Sequence, residues 1–65
     1  MKLDERKFNI ALARKEMNTS DLAKATGYSL NTIRKYATFK SNPTTKSLGK
    51  IARALDVKVE DLLVD

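Results

Sequence analysis

Apolar residues recur with a helical period over several short stretches of the chain, and no stretch has the alternation typical of a strand. The clearest stretch is KSLGKIARALDV, where apolar residues stand at i, i+3, i+4 and i+7: Leu48, Ile51, Ala52 and Leu55. Thr44 is a suitable N-cap for this stretch, and Pro43 disfavours helix in the residue before it. The spacing predicts a helix that begins just after Thr44.

A second amphipathic stretch covers residues 4–16. Phe8 and Leu12 stand four residues apart with Ala11 beside them, so one helix face is apolar. Acidic side chains stand at the start of this stretch and Arg14 and Lys15 near its end, which matches the helix dipole. We therefore predict a first helix here.

The stretch DLAKATGYSLNTIRKYA has a single glycine inside what otherwise resembles one amphipathic helix. Asn18 and Asp21 form a pair typical of a capping box, which predicts a short helix that runs to residue 25 or 26 and buries Leu22. Gly27 can adopt the left-handed conformation that commonly ends a helix. Ser29 is then the N-cap of a third helix over residues 30–37.

This third helix has two different faces. Ile33 and Ala37 form an inward stripe, and Tyr36 stands beside it. We expect the Tyr36 ring to be partly buried, with its hydroxyl at the edge, rather than to be a surface on which another ring stacks. The outward stripe is polar and cationic: Asn31, Arg34, Lys35 and Thr38.

A fifth, short helix is predicted over residues 59–63, with Glu60 and Asp61 in its first turn. We expect Leu62 to join the core, and the pattern leaves the place of Val64 open. Five short helices without a strand predict an all-α fold, and 65 residues are enough for one domain, residues 1–65.

The composition excludes several classes of function. The chain has neither cysteine nor histidine, which removes disulfides, thiolate chemistry, the common zinc patterns and imidazole catalysis, and we expect no cofactor and no metal. There is also no nucleophile paired with a base, so we expect no enzyme and no small-molecule substrate. No apolar run is long enough to span a bilayer, so we expect no membrane partner and a cytoplasmic location.

The positions of the charged residues along the chain indicate more about function than the net charge of +5 does. No acid occurs between Leu22 and Leu55, and this segment carries seven of the 13 cations: Lys24, Arg34, Lys35, Lys40, Lys46, Lys50 and Arg53. A cationic face suits a phosphate backbone, although charge alone is also compatible with a basic surface that serves only solubility.

Two short capped helices joined by a turn that contains glycine form a helix-turn-helix. In this motif the second helix enters the major groove, where Asn and Arg suit the edges of adenine and guanine, and neighbouring cations and hydroxyls contact phosphates. RNA binding is less well supported, because single strands need aromatic side chains for stacking.

The segment MNTSDLAKATGYSLNTIRKY resembles the second helix, glycine turn and recognition helix of the Cro and lambda-repressor-like (XRE-type) helix-turn-helix regulators of bacteria and their phages. The segment NPTTKSLGKIARALDVKVEDLL resembles the fourth and fifth helices of that family. The resemblance covers nearly the whole chain. It implies a compact five-helix DNA-binding domain that acts as a dimer, or as paired monomers, on a palindromic operator, as a repressor, a Cro-type switch or an antitoxin-like autoregulator associated with the nucleoid.

The resemblance also implies roles for individual residues. The positions that would face bases in the groove are Leu30, Asn31 and Arg34. The positions that would contact phosphates are Thr19, Ser29, Thr32, Lys35, Thr38, Lys40 and Asn42.

Three residues depart from the family pattern. Thr19 stands where glutamine is common, so we expect a shorter contact there, to phosphate only. Phe39 stands where glycine or asparagine often ends the recognition helix. Gly49 lies inside the fourth helix at a cost of about 1 kcal/mol relative to alanine, and a close approach of another helix would account for it.

Several alternatives remain open from sequence. Arg34 and Lys35 could be a solvated helix face, Asn31 and Thr32 ordinary first-turn polarity, and Leu30 a surface apolar residue. Phe39 could pack under its own turn, lie exposed or meet a partner. We expect Lys50 and Arg53 to be solvated. A rival function is a protein-interaction module on the same fold, such as an antitoxin or adaptor.

Overall fold

The computed structural model describes residues 2–38 and 42–65, and within them it is an all-α domain. Local sequence accounts for the helix starts, because each α-helix begins after a side chain that caps its first turn. The elements are α1 (Glu5–Arg14), α2 (Thr19–Thr26), α3 (Leu30–Ala37), α4 (Thr45–Ala54) and a C-terminal 3-10 helix (Val59–Leu62). The predicted order and type of the first four helices are confirmed.

The prediction of a fifth α-helix is wrong, because that segment is a single 3-10 turn of four residues. It begins with a bond from the Lys58 backbone N–H to Asp61 Oδ2 at 3.3 Å. It ends at Leu63, whose backbone is extended with φ −94° and ψ 150°. Leu63 pairs with the N-terminal segment through this extended backbone, so the helical conformation ends at Leu62.

The two ends of the described chain are joined by an antiparallel bridge between Leu3 and Leu63. The Asp4 N–H donates to the Leu62 carbonyl at 2.8 Å, and the Val64 N–H donates to the Lys2 carbonyl at 2.9 Å. This bridge holds the C-terminal segment against the start of α1. The sequence pattern did not predict it.

A lysine on α1 reinforces this bridge. Lys7 Nζ donates to the Leu63 carbonyl at 2.9 Å and to Asp65 Oδ1 at 2.8 Å. The hydrogen bond to Asp65, with the attraction of its carboxylate, raises the pKa of Lys7. The same hydrogen bond lowers the pKa of Asp65. Both shifts favour the charged pair.

Two helices end on residues other than glycine that have positive φ. Glu16 after α1 and Asp56 after α4 each have φ 54°, in the left-handed region. The Met17 N–H returns to the Leu12 carbonyl at 3.0 Å, and the Val57 N–H makes the equivalent bond behind α4. Both ends are therefore Schellman motifs, which satisfy terminal carbonyls at the cost of a less favourable backbone conformation.

Every element contributes to one hydrophobic core. The largest fully buried side chains are Leu3, Phe8, Leu22, Ile33, Leu48, Ile51, Leu55 and Leu62. The prediction that Leu62 belongs to the core is confirmed, and Val64 is half-exposed. Among the helices that the structure describes, none has the length and apolar character needed to cross a membrane.

Candidate nucleic-acid interface

The helix-turn-helix is formed by α2, a short turn and α3. The predicted capping box is present at the start of α2, where Asp21 N–H donates to Asn18 Oδ1 at 2.8 Å and Asn18 N–H donates to Asp21 Oδ2 at 3.0 Å. Gly27 ends α2 with φ 80°, and its N–H donates to the Ala23 carbonyl at 2.9 Å. This left-handed residue turns the chain so that α3 begins three residues later.

The outer face of α3 is polar and cationic. Ile33 and Tyr36 are buried and hold the helix on the core. The side chains that follow the opposite i, i+3, i+4, i+7 spacing are all exposed: Asn31, Arg34, Lys35 and Thr38. The structure therefore brings these four predicted contact residues together on one accessible stripe.

The hydroxyl groups of Ser29, Thr32 and Thr38, all predicted to contact phosphates, already have partners within the chain. Ser29 Oγ accepts from the Thr32 N–H at 3.1 Å and lies 2.9 Å from Thr32 Oγ1. Thr38 Oγ1 donates to the Arg34 carbonyl at 2.8 Å. A phosphate contact by Thr38 as donor therefore requires its hydroxyl to rotate away from this carbonyl.

The other predicted contact residues have mixed surroundings. Leu30 is half-buried and packs in part against the core, so only part of its side chain is accessible in the free domain. Thr19 is also half-buried, at the first position of α2, and Asn42 is exposed. Lys40 and Phe39 lie outside the described residues, so their predicted roles remain predictions.

Tyr36 is more deeply buried than predicted, with 9% of its surface exposed. Its hydroxyl donates to Ser47 Oγ at 3.5 Å, near the limit for a hydrogen bond. Ser47 Oγ in turn lies 3.1 Å from Thr44 Oγ1, which caps α4 by accepting from the Ser47 N–H at 3.2 Å. A line of three hydroxyls thus connects α3 to the cap of α4.

Sequence reasoning missed Ser47, although its spacing could have indicated it. Ser47 stands three residues after the Thr44 cap and next to Leu48, so it lies at the buried edge of the first turn of α4. A small polar residue at such a position can bond both to a cap and to a neighbouring helix. Its partner Tyr36 could be identified only from the fold.

Lys50 is exposed, as predicted, but its amine does not simply extend into solvent. Lys50 Nζ lies 5.3 Å from the centroid of the Tyr28 ring, within the range of a cation–π interaction. Tyr28 is half-buried in the turn between α2 and α3. This contact therefore places a side chain of α4 over the turn of the helix-turn-helix.

The suggestion that another helix closely approaches Gly49 is wrong. A Cβ added at this position would meet no atom within 4 Å, and the backbone there is helical. Nothing in the structure explains the glycine. Its cost to α4 is therefore not offset by packing.

The described residues contain no group of three or more acidic side chains arranged to hold a metal ion. What the candidate interface offers is hydrogen-bond donors and positive charge. The pair Arg34 and Lys35 supplies charge on the stripe, and Asn31 supplies an amide that can donate and accept. These groups suit recognition of base edges and phosphates.

Comparison with solved structures shows where else this fold occurs. Three solved chains are similar to this one, each at 20% sequence identity. They are a point mutant of hydroxyethylphosphonate dioxygenase (TM-score 0.81), PhpD with cadmium and hydroethylphosphonate (TM-score 0.80) and native PhpD with cadmium atoms (TM-score 0.81). The likeness covers 100% of this chain but only 14% of each of those chains. At this identity it establishes a shared fold. No curated protein matches the sequence.

A family comparison is more informative about the chain itself. Residues 7–65 match the model of the Cro/C1-type HTH DNA-binding domain. The match begins inside α1 and includes α2, the Gly27 turn, α3 and α4. It confirms the resemblance inferred from the capping pairs and the apolar spacing. The chain belongs to the Cro/C1-type helix-turn-helix DNA-binding family.

Proposed function

We propose that this domain is a sequence-specific, double-stranded DNA-binding transcriptional regulator of the repressor or Cro type. The observation that carries the proposal is the exposed stripe of Asn31, Arg34, Lys35 and Thr38 on a short helix whose opposite face is fixed to the core. The major groove admits one α-helix, and the Asn31, Arg34 and Lys35 side chains of this helix are exposed in the free domain. We assign Leu30, Asn31 and Arg34 to base contacts.

Phosphate contacts would fix the register of α3 on the duplex. We assign this role to side chains at helix starts and along the edge of the stripe: Thr19, Ser29, Thr32, Lys35, Thr38, Lys40 and Asn42. The N-termini of α2 and α3 also present backbone N–H groups, which favour phosphate oxygens. The absence of acids from Leu22 to Leu55 keeps this whole segment free of groups that would repel DNA.

The proposed mechanism is occlusion of a promoter by α3 in the major groove, without chemistry. Two copies would bind a palindromic operator as a homodimer formed at least on DNA, because two-fold symmetric operators match two-fold symmetric proteins. A phage or mobile element in a bacterial cytoplasm is the proposed source, by analogy with the family. We propose no enzymatic activity and no small-molecule substrate, since the sequence offers no nucleophile paired with a base.

The test is selection from a random pool of double-stranded DNA, followed by affinity measurements against salt. We expect a palindrome or half-site bound at least about 10³-fold more tightly than bulk DNA. The Asn31→Ala/Arg34→Ala double variant should lose this preference and keep nonspecific affinity. Enrichment of no sequence, with equal affinity for all duplexes, would contradict the proposal.

A second candidate function is a protein-interaction module, such as an antitoxin or adaptor. It is favoured by Ile10 and Val64, two large apolar side chains that remain about half exposed away from α2 and α3. It would replace the first proposal if duplex binding were weak and insensitive to sequence. The DNA selection therefore discriminates between the two.

A further inference from the structure

The chain has two tyrosines, and they stand at the two ends of α3. Tyr28 lies in the turn just before the helix, and Tyr36 lies in its last turn. Both side chains meet α4, where their partners are Lys50 and Ser47. These partners are three residues apart, so they are neighbours on the surface of α4. We call the two contacts the α4 brace, defined by Tyr28, Tyr36, Ser47 and Lys50.

The contact at the C-terminal end of α3 is polar and buried. The Tyr36 hydroxyl donates to Ser47 Oγ, and within residues 2–38 and 42–65 this is the only side-chain hydrogen bond between two different α-helices. Ser47 Oγ also accepts from the Thr44 hydroxyl at 3.1 Å, which ties it to the cap of α4. The 3.5 Å bond is already long, so a small shift of α3 would break it and leave a buried hydroxyl without its partner.

The contact at the N-terminal end of α3 is between a cation and an aromatic ring. Lys50 Nζ lies 5.3 Å from the centroid of the half-buried Tyr28 ring. The Tyr28 backbone is tied to α2, because its N–H donates to Thr26 Oγ1 at 3.3 Å and Thr26 Oγ1 donates to the Leu22 carbonyl at 2.9 Å. Thr26 is itself buried. Lys50 therefore connects α4 to the turn that leads from α2 into α3.

The packing of α3 shows why these contacts matter. In the part of the chain that the structure describes, α3 packs mainly on α2 and approaches α4 closely at few positions. A helix supported mainly by one neighbour can tilt or slide along it, and a displacement of about 1 Å is enough to spoil a binding geometry. The α4 brace gives α3 a second support from its inner side, and it leaves the outward stripe with Asn31, Arg34 and Lys35 exposed.

We infer that the α4 brace positions α3 for sequence recognition, so its four members are positioning residues for specificity outside the assigned DNA contacts. The inference rests on the proposed function, because it concerns the sequence-specific mode of duplex binding. Base contacts by Asn31 and Arg34 require α3 at one angle and depth in the groove, whereas attraction to phosphates does not. Loss of the brace should therefore lower affinity for the selected duplex more than affinity for bulk DNA.

The first test measures the ratio of the affinities for the selected duplex and for bulk DNA. Unfolding lowers both affinities by the same factor, since only folded molecules bind, so a change in stability alone does not move the ratio. Tyr36→Phe and Ser47→Ala should each lower the ratio about three- to tenfold. The double variant should lower it no further than the more affected single variant, because both remove the same bond. Additive losses would overturn the role of this bond.

The second test addresses the cation at the other end of α3. Lys50→Met removes the charge and keeps an apolar side chain, and it should lower the ratio about two- to fivefold. Lys50→Arg should recover most of this loss, because arginine also binds aromatic faces. Arg53→Met is the matched control, since Arg53 is exposed on the same helix and makes no cation–π contact in the described ranges. It should lower both affinities equally and leave the ratio unchanged.

Binding by the parent chain distinguishes failure of this inference from failure of the proposed function. A parent chain without sequence preference would contradict the function itself, and the inference with it. A normal preference in the parent, with unchanged ratios in Tyr36→Phe and Lys50→Met, would overturn the inference alone. Equal losses of the ratio in Lys50→Met and Arg53→Met would also overturn it, because charge and not position would then set the specificity.

Discussion

Two hydrogen bonds between Ser29 and Thr32 cap the start of α3. The Thr32 N–H donates to Ser29 Oγ at 3.1 Å, and the two hydroxyl oxygens are 2.9 Å apart. Both residues are also predicted to contact phosphates. The same side chains would therefore cap the helix in the free domain and bind the backbone of DNA in the complex.

These two roles of Ser29 can be separated by substitution. Ser29→Asp keeps a good N-cap and should leave the free energy of unfolding within about 0.5 kcal/mol, whereas Ser29→Ala should lower it by about 1 kcal/mol. Only the aspartate adds a charge that repels phosphate, so Ser29→Asp should reduce affinity for every duplex. Thermal unfolding and DNA titration of both variants check this, and an aspartate variant with unchanged affinity would place Ser29 away from phosphate.

Adjacent cations on α3 should affect DNA binding in different ways. Arg34→Ala should reduce affinity by about 1–3 kcal/mol and relax preference at one base position, because arginine suits the guanine edge. Lys35→Ala should weaken all sequences alike and reduce the salt slope by about 1. Titrations of the selected site and its single-base variants at several salt concentrations measure both effects. A uniform loss in both variants would show that Arg34 does not contact a base.

The two glycines should respond oppositely to the same substitution. Gly27→Ala forces a Cβ into a backbone with φ 80° and should destabilise the domain by about 1 kcal/mol or more. Gly49→Ala adds a Cβ in open space within a helix and should stabilise it by up to about 1 kcal/mol. Denaturant unfolding of both variants gives the comparison. A destabilised Gly49→Ala would reveal a packing constraint at α4 that the described contacts do not show.

The pair of Lys7 and Asp65 predicts a defined pH dependence of the C-terminal segment. The hydrogen bond to Lys7 lowers the pKa of Asp65. The stability that this carboxylate adds to the folded state is therefore present at pH values above its ordinary pKa of 3.8, and it is lost as the pH falls through the lower pKa of the folded state. The Lys7 pKa is raised, so its contribution is lost as pH rises above 10.5. The ion pair should therefore hold the C-terminal segment against α1 throughout the neutral pH range.

An NMR titration of the Asp65 carboxyl carbon checks this dependence. Its midpoint should lie below 3.8 in the parent chain and return to that ordinary value in Lys7→Met. Asp65→Asn is the matched control, because it removes the titrating group and keeps an acceptor for Lys7. Equal midpoints with and without Lys7 would show that the pair does not form in solution.

Local signals in the sequence predicted most of the recognition unit. Asn18 with Asp21, Gly27 and Ser29 specify where α2 ends and α3 begins, because capping and left-handed backbone depend on residues close together in the chain. The spacing of Asn31, Arg34 and Lys35 likewise places them on one face once the helix exists. These side chains could thus be predicted as candidates before their surroundings were known.

Only the tertiary structure decided the contacts between distant segments. The Leu3–Leu63 bridge follows directly on the C-terminal 3-10 helix, which ends at Leu62, and places Val64 near the start of α1, across almost the whole chain. Likewise, the hydrogen bond from the Tyr36 hydroxyl of α3 to Ser47 of α4 forms only because the fold brings these two helices together. The sequence by itself determined the four α-helices, the N-caps of α2, α3 and α4 and the polar stripe, because these depend on neighbours within one or two turns. Pairing of the termini and of hydroxyls between helices depends on how the whole core packs, which no local pattern encodes.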